Sequence, residues 1–295
     1  MLEKGMSEEI SILQEVPAST VWQVAAYCGH KHVLVGDGNH KDVGVFSAFV
    51  SGVPELLRGG VNHVFLERPE GLFGPVVRAF MNASGKTRES GQDVEELRKN
   101  LSMVKNGYLE SEKGQQEFVD AHIRLMTEAR AGKARIHSIQ EAENIRKSLC
   151  IQYGYTAERE DFLYSQFSNC ATVAQMHSAR HPNDELLLYA HRLKQENLYN
   201  DRDRAGMLSN AVGAGRGATF YGAGHFRKGT GINAHLQSED YVLIHVGSPQ
   251  TIDIFAFGKE IPGTGKAEPP DFVLTGNSGN AYVMSTAKKR GLWPS

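Results

Sequence analysis

Val33-Leu34-Val35-Gly36-Asp37-Gly38-Asn39-His40 (VLVGDGNH) decides how this chain is read. Three apolar residues, two of them β-branched, describe a buried strand, and a glycine turn carrying a carboxylate and an imidazole ends it. From about Asp42 to Leu57, apolar residues Val43, Phe46, Phe49, Val50, Val53 and Leu57 recur at helical spacing, and Arg-Gly-Gly closes the run. VNHVFLE then reads as a second strand finishing at Glu67. Strand, helix and strand in that order form the building block of a parallel sheet, so the fold class expected is α/β.

Outward from this unit, STVWQVAAYC reads as a short helix capped by Ser19 or Thr20, behind a loose leader over residues 1–20. DVEELRKNLSMV and QQEFVDAHIRLMTEAR each carry an apolar stripe, and ARIHSI (134–139) reads as a further strand. Residues 140–212 are mostly helical in pattern, so a helical insertion or cap over about 90–200 is expected within a single α/β domain spanning 21–295. ATFYGAGH (218–225), YVLIHVG, TIDIFAFG, FVLTG and AYVMST supply the remaining strands.

The 295 residues, 40% hydrophobic and 22% charged, fit an ordinary globular protein, and a formal charge of −2 argues against a nucleic-acid partner. No run approaches the 18 or so apolar residues of a membrane span, and the polar first residues carry no signal-peptide core. The expected location is cytoplasmic, or another cell reached through a specialised secretion machine. Cys28, Cys150 and Cys170 form no CxxC pair and suit a reducing compartment.

Ligands of parallel sheets sit beyond the carboxyl ends of the strands. Asp37 and His40 end the first strand, Glu67 the second, and His225 follows the glycine turn after ATFYG. Two imidazoles and one or two carboxylates there can bind a divalent metal or activate a water. Plainer readings stand beside each: His40 as a helix cap, Glu67 in an ion pair with Arg68, and His245 and Tyr221 as core residues. His177 and His181 have the i, i+4 spacing of a helical metal pair, but Pro182 follows at once. Three familiar motifs fail: SGKT (84–87) has Phe80 where a P-loop needs glycine, GAGRGA (213–218) precedes a strand, and no GxSxG is present.

Taken together, Gly36-Asp37-Gly38-Asn39-His40, the strand ending at Glu67, RDRAGMLSN (202–210) and Gly222-Ala223-Gly224-His225 resemble the superfamily of erythromycin esterases, ChaN-type haem-uptake proteins and TIKI/TraB proteins. That resemblance implies a mostly parallel central sheet with helices on both faces and a pocket at the strand ends. In the esterase branch it implies that His40 acts as general base on water, assisted by Glu67 and His225, to cleave an ester, lactone or amide of a small molecule. In the TIKI branch it implies a peptide substrate and a metal (Mn, Co or Zn) held by His40, Glu67 and His225. The ChaN branch implies haem instead. Some effectors of plant pathogens also resemble this fold, which adds a host protein as a partner. Asp37 stands where the family more often has Glu. RDRAGM has one residue more than the usual pattern, so the arginine and aspartate slots fall to Arg202 and Asp203 or to Asp203 and Arg204.

Overall fold

The computed structural model describes residues 10–39, 42–67, 70–82, 92–103, 111–138, 201–236, 240–247, 260–261, 265–276 and 279–294. Its centre is an eight-stranded sheet: β1 (Ile12–Pro17), β2 (His32–Asp37), β3 (Val61–Leu66), β4 (Arg135–Ser138), β5 (Arg216–Gly222), β6 (Tyr241–Gly247), β9 (Phe272–Thr275) and β10 (Asn280–Met284). A small hairpin, β7 (Glu260–Ile261) and β8 (Gly265–Lys266), stands apart. The order across the sheet is β1-β10-β9-β6-β2-β5-β3-β4. The pairs from β9 to β4 are parallel, and β10 runs antiparallel to both β9 and β1.

β2 is central because it is apolar on both sides: Val33 and Val35 face one layer, Leu34 the other, and all three are fully buried. The first layer holds α1 (Ala18–Tyr27), α2 (Val43–Arg58), α3 (Glu70–Asn82), α4 (Gln92–Met103) and α5 (Glu112–Ala131). The opposite face is covered by α6 (Asp201–Val212) through Ala205, Leu208 and Val212. A short α7 (Ser285–Lys289) follows β10. The fold is therefore α/β, mostly parallel, with helices on both faces, as the resemblance implies.

α2 begins where its sequence says: the Asp42 side chain accepts the Gly44 N–H at 2.8 Å, and Phe46, Phe49, Val50, Val53 and Leu56 form its buried stripe. α1 crosses α2 at Gly52, where a Cβ would lie 2.2 Å from the Trp22 ring. Beneath both helices, Arg216 at the start of β5 donates to carbonyls of their last turns, Ala25 at 3.1 Å, Ala26 and Gly59, and to His30 O at 2.8 Å. A guanidinium suits these carbonyls, which carry the negative ends of two helix dipoles.

Two expectations change. Ile12–Pro17, expected within the loose leader, pairs with β10 as an edge strand. α1 starts at Ala18 behind Pro17 and has no side-chain cap, so neither Ser19 nor Thr20 fills that role. The strand expected at ARIHSI is β4, which joins the sheet beside β3. Cys150, Cys170, His177, His181, TIDIFAFG and most of the expected helical insertion lie outside the described residues. No helix among the described residues is long and apolar enough to cross a membrane.

Candidate functional site

The strand order brings the expected groups together. β5 lies between β2 and β3, with Asp37 opposite Gly222 and Leu66 opposite Phe220, so three strand ends meet at one rim. Glu67, one residue beyond β3, places its carboxylate across the end of β5, and its Oε2 accepts the Gly222 N–H at 2.7 Å. After Gly222 the chain enters a 3-10 turn, Ala223–His225, which aims His225 back at the same rim.

His225 is held from behind. Its Nδ1 lies 2.8 Å from Oδ1 of Asp201, the first residue of α6, which is fully buried. An ionised carboxylate only accepts, so Nδ1 is the donor in this contact, and in the neutral imidazole the lone pair sits on Nε2, at the rim. Nε2 lies 3.8 Å from Glu67 Oε1, beyond hydrogen-bond range and suited to a bridging water. Side-chain exposure falls from 33% at Glu67 to 13% at His225 and 1% at Asp201, so the line runs inward from the surface.

Two arginines compensate the buried carboxylate. Arg204 Nη1 donates to Asp201 Oδ1 at 2.9 Å, and Arg227 Nη2 donates to Oδ2 at 2.7 Å. Burial opposes the charge on Arg204, but Tyr221, Asp201 and Glu67 outweigh it and raise its pKa above the ordinary value. Tyr221 packs edge-on to His225, ring centroids 4.9 Å apart, with the Arg204 guanidinium 5.6 Å from its own centroid. Burial and the Glu67 carboxylate push the phenol well above its usual range, so it stays protonated.

Beside Tyr221 on this face, β2 presents Gly36. A Cβ there would come within 3.2 Å of the His245 ring and of Ala223 Cβ, so the glycine lets these groups pack closely. His245 is fully buried, and burial pushes its pKa down to about 3, which keeps it neutral.

Glu67 and His225 are thus brought together. His40 lies outside the described residues. Asp37 stands at the adjacent strand end, but strand alternation puts its side chain on the α2 face, away from Gly36 and Tyr221. There its Oδ1 accepts the Asn39 N–H at 2.8 Å and shapes the turn. Arg202 and Asp203 are both exposed on α6 and do not enter the cluster. Arg204, the alternative for the arginine slot, does enter it, and Asp201 stands in the place expected of Asp203. Helical phase was the available signal: Asp201, Arg204, Ala205, Leu208 and Val212 share one buried face at i, i+3, i+4 spacing. Arg227 carried no such signal, and Tyr221 is core and site lining at once. Among the described residues no group of three or more His, Cys, Asp or Glu is placed to hold a metal; Glu67 and His225 supply two donors. Cys28 is remote from this rim, and burial raises its thiol pKa.

Fold and site define a class: a mostly parallel α/β protein with a buried Asp–His pair, flanked by two arginines, at the carboxyl ends of its strands. No family model and no curated protein matches the sequence. In structure the chain is similar to ChaN of Campylobacter jejuni, solved with cofacially bound heme (16% identity, 94% of this chain and 98% of that one, TM-score 0.47). It is similar also to RRSP, a MARTX toxin effector domain from Vibrio vulnificus (15% identity, 84% of this chain, TM-score 0.43), and spans 37% of that structure's length. A third likeness is to the type III effector HopBA1 (12% identity, 92% of this chain and 98% of that one, TM-score 0.38). These are likenesses of fold alone.

Proposed function

We propose that the chain is a hydrolase that activates water between His225 and Glu67 to cleave an ester, lactone or amide of a small-molecule or peptide substrate. The observation that carries this reading is the Asp201–His225 contact of 2.8 Å, which holds the ring with Nε2 facing Glu67 Oε1 across 3.8 Å. A water oxygen about 2.8 Å from each partner fits that gap. His225 Nε2 takes one proton as the water oxygen bonds to the carbonyl carbon. The carbon–oxygen or carbon–nitrogen bond then breaks, and the leaving group recovers that proton from Nε2. Asp201 stabilises the imidazolium formed in between, and Glu67 orients the water.

This reading moves the base from His40 to His225. The test is a panel of esters, lactones and peptides offered to wild type, His225→Gln and Glu67→Gln. Loss of turnover in both variants, with thermal midpoints within a few degrees of wild type, supports it. Equal turnover in wild type and His225→Gln would sink it. The haem and host-effector readings predict other outcomes of the same preparation: a Soret band on haem titration, or a host phenotype that His225→Gln removes.

A further inference from the structure

Arg227 lies two residues beyond His225, is 6% exposed, and takes no direct part in the water geometry above. Its Nη2 contacts the oxygen of Asp201 that His225 does not use, at 2.7 Å. Oδ1 already serves His225 Nδ1 at 2.8 Å and Arg204 Nη1 at 2.9 Å. Asp201 therefore grips one short segment, 225–227, with both oxygens: an imidazole on one and a cation on the other.

The two arginines differ in leverage. Arg204 stands three residues along α6 from Asp201 and moves with it. Arg227 belongs to a separate anchor, where it bridges to Ala267 and its carbonyl accepts the Gly231 N–H at 3.1 Å. A carboxylate rotates easily about its terminal bond, and such torsions are broad. With Oδ2 tied to Arg227, that rotation stops with Oδ1 facing His225. Arg227 also offsets much of the cost of an ionised group in a fully buried position.

We propose that Arg227 is a positioning residue: its ion pair with Asp201 Oδ2 fixes the oxygen that holds His225 Nδ1–H, and so directs Nε2 at Glu67. This rests on the hydrolase reading for its catalytic consequence only, since the tautomer is a property of the protein without substrate.

The experiment is imidazole nitrogen and proton NMR of the full chain labelled with nitrogen-15 histidine. His225→Gln assigns the signal, and Arg227→Met, Arg227→Gln and Arg227→Lys are compared with wild type. Wild type and Arg227→Lys are expected to show a downfield, slowly exchanging Nδ1–H on His225. Arg227→Met is expected to lose it while backbone dispersion persists. Should loss of a buried cation unfold the Met variant, Arg227→Gln decides, because its shorter neutral side chain stays polar but cannot restore the ion pair with Oδ2. A weakened or displaced signal there supports the proposal, and a folded Gln or Met variant with the wild-type signal overturns it. In active preparations kcat falls about 10–100-fold in Arg227→Met, with KM little changed, and recovers most of that loss in Arg227→Lys. Signal loss in protein that never hydrolyses anything rejects the hydrolase reading alone. Active protein whose signal ignores Arg227 rejects the positioning role alone.

Discussion

Asp201 and His225, 24 residues apart in sequence, meet at 2.8 Å between Oδ1 and Nδ1, one at the start of α6 and the other in the turn after β5. The contact orients the histidine ring through Nδ1, and it joins the helical layer on one face of the sheet to the rim where the strands end. Much of the behaviour expected of this protein follows from it.

Asp201→Asn replaces an acceptor facing three donors with an amide that presents its own N–H to one of them. Turnover should fall by about 10³–10⁴-fold, as expected for a histidine held in the wrong tautomer. Two buried arginines lose their counter-charge as well, so urea unfolding should show a loss of roughly 3–5 kcal/mol. An Asn variant with wild-type rate would separate this carboxylate from the chemistry.

Glu67→Gln keeps an oxygen for the Gly222 N–H and removes the charge facing His225. The expected outcome is about a 10²-fold loss of turnover with stability changed by less than about 1 kcal/mol. Steady-state kinetics and a melting curve on the same sample check both halves.

Gly36→Ala places a methyl group 3.2 Å from the His245 ring and from Ala223 Cβ, so one of these neighbours must shift by a few tenths of an ångström. Overpacking of this kind costs about 1–3 kcal/mol. Urea midpoints measure it, and the displacement of Ala223 should appear as lower turnover at temperatures where the variant is fully folded.

Stability should fall as pH drops from 7 to 5. Burial depresses His32 to about 4, and Lys31 adds to the shift; burial alone depresses His245 to about 3. The unfolded chain therefore binds protons below about pH 6.5 that the folded chain refuses, and each histidine costs about 2 kcal/mol by pH 5. Asp271 acts in the opposite direction. Burial raises it to about 6 despite Arg290, so its penalty is full well above pH 6 and about 1 kcal/mol of it is relieved at pH 5. The two histidines win by roughly 2–3 kcal/mol, and His245→Leu should remove about half of the loss they cause. Urea unfolding at pH 7, 6 and 5 measures the slope, and a flat profile would count against neutral buried histidines.

Arg216→Met removes the donors that hold the carbonyl ends of α1 and α2. A loss of roughly 2–4 kcal/mol is expected. Arg216 opens β5 whereas the cluster stands at its other end, so turnover well below the melting temperature should stay within about twofold of wild type. Matched unfolding curves and rates check that separation.

VLVG, the α2 stripe and VNHVFL, being apolar on both faces or at a clear helical period, determined by themselves a strand–helix–strand unit and a parallel sheet. The same local rule placed Glu67 and His225 at strand ends, because a polar residue after a buried strand must come out where the strand does. The order β6-β2-β5-β3 was not local information: it depends on which strands share hydrogen bonds, and only that order sets Glu67 against the end of β5. Ile12–Pro17 looked like a leader because an edge strand exposed along most of its length carries little apolar pattern. The choice of Arg204 over Arg202, and of Asp201 in place of Asp203, turned on helical phase, which a run of alternating charges conceals until α6 is docked. Arg227 emerged from the tertiary structure alone. An ion pair between residues 26 apart leaves no period in the sequence, and its partner is recognisable only once both side chains are buried together.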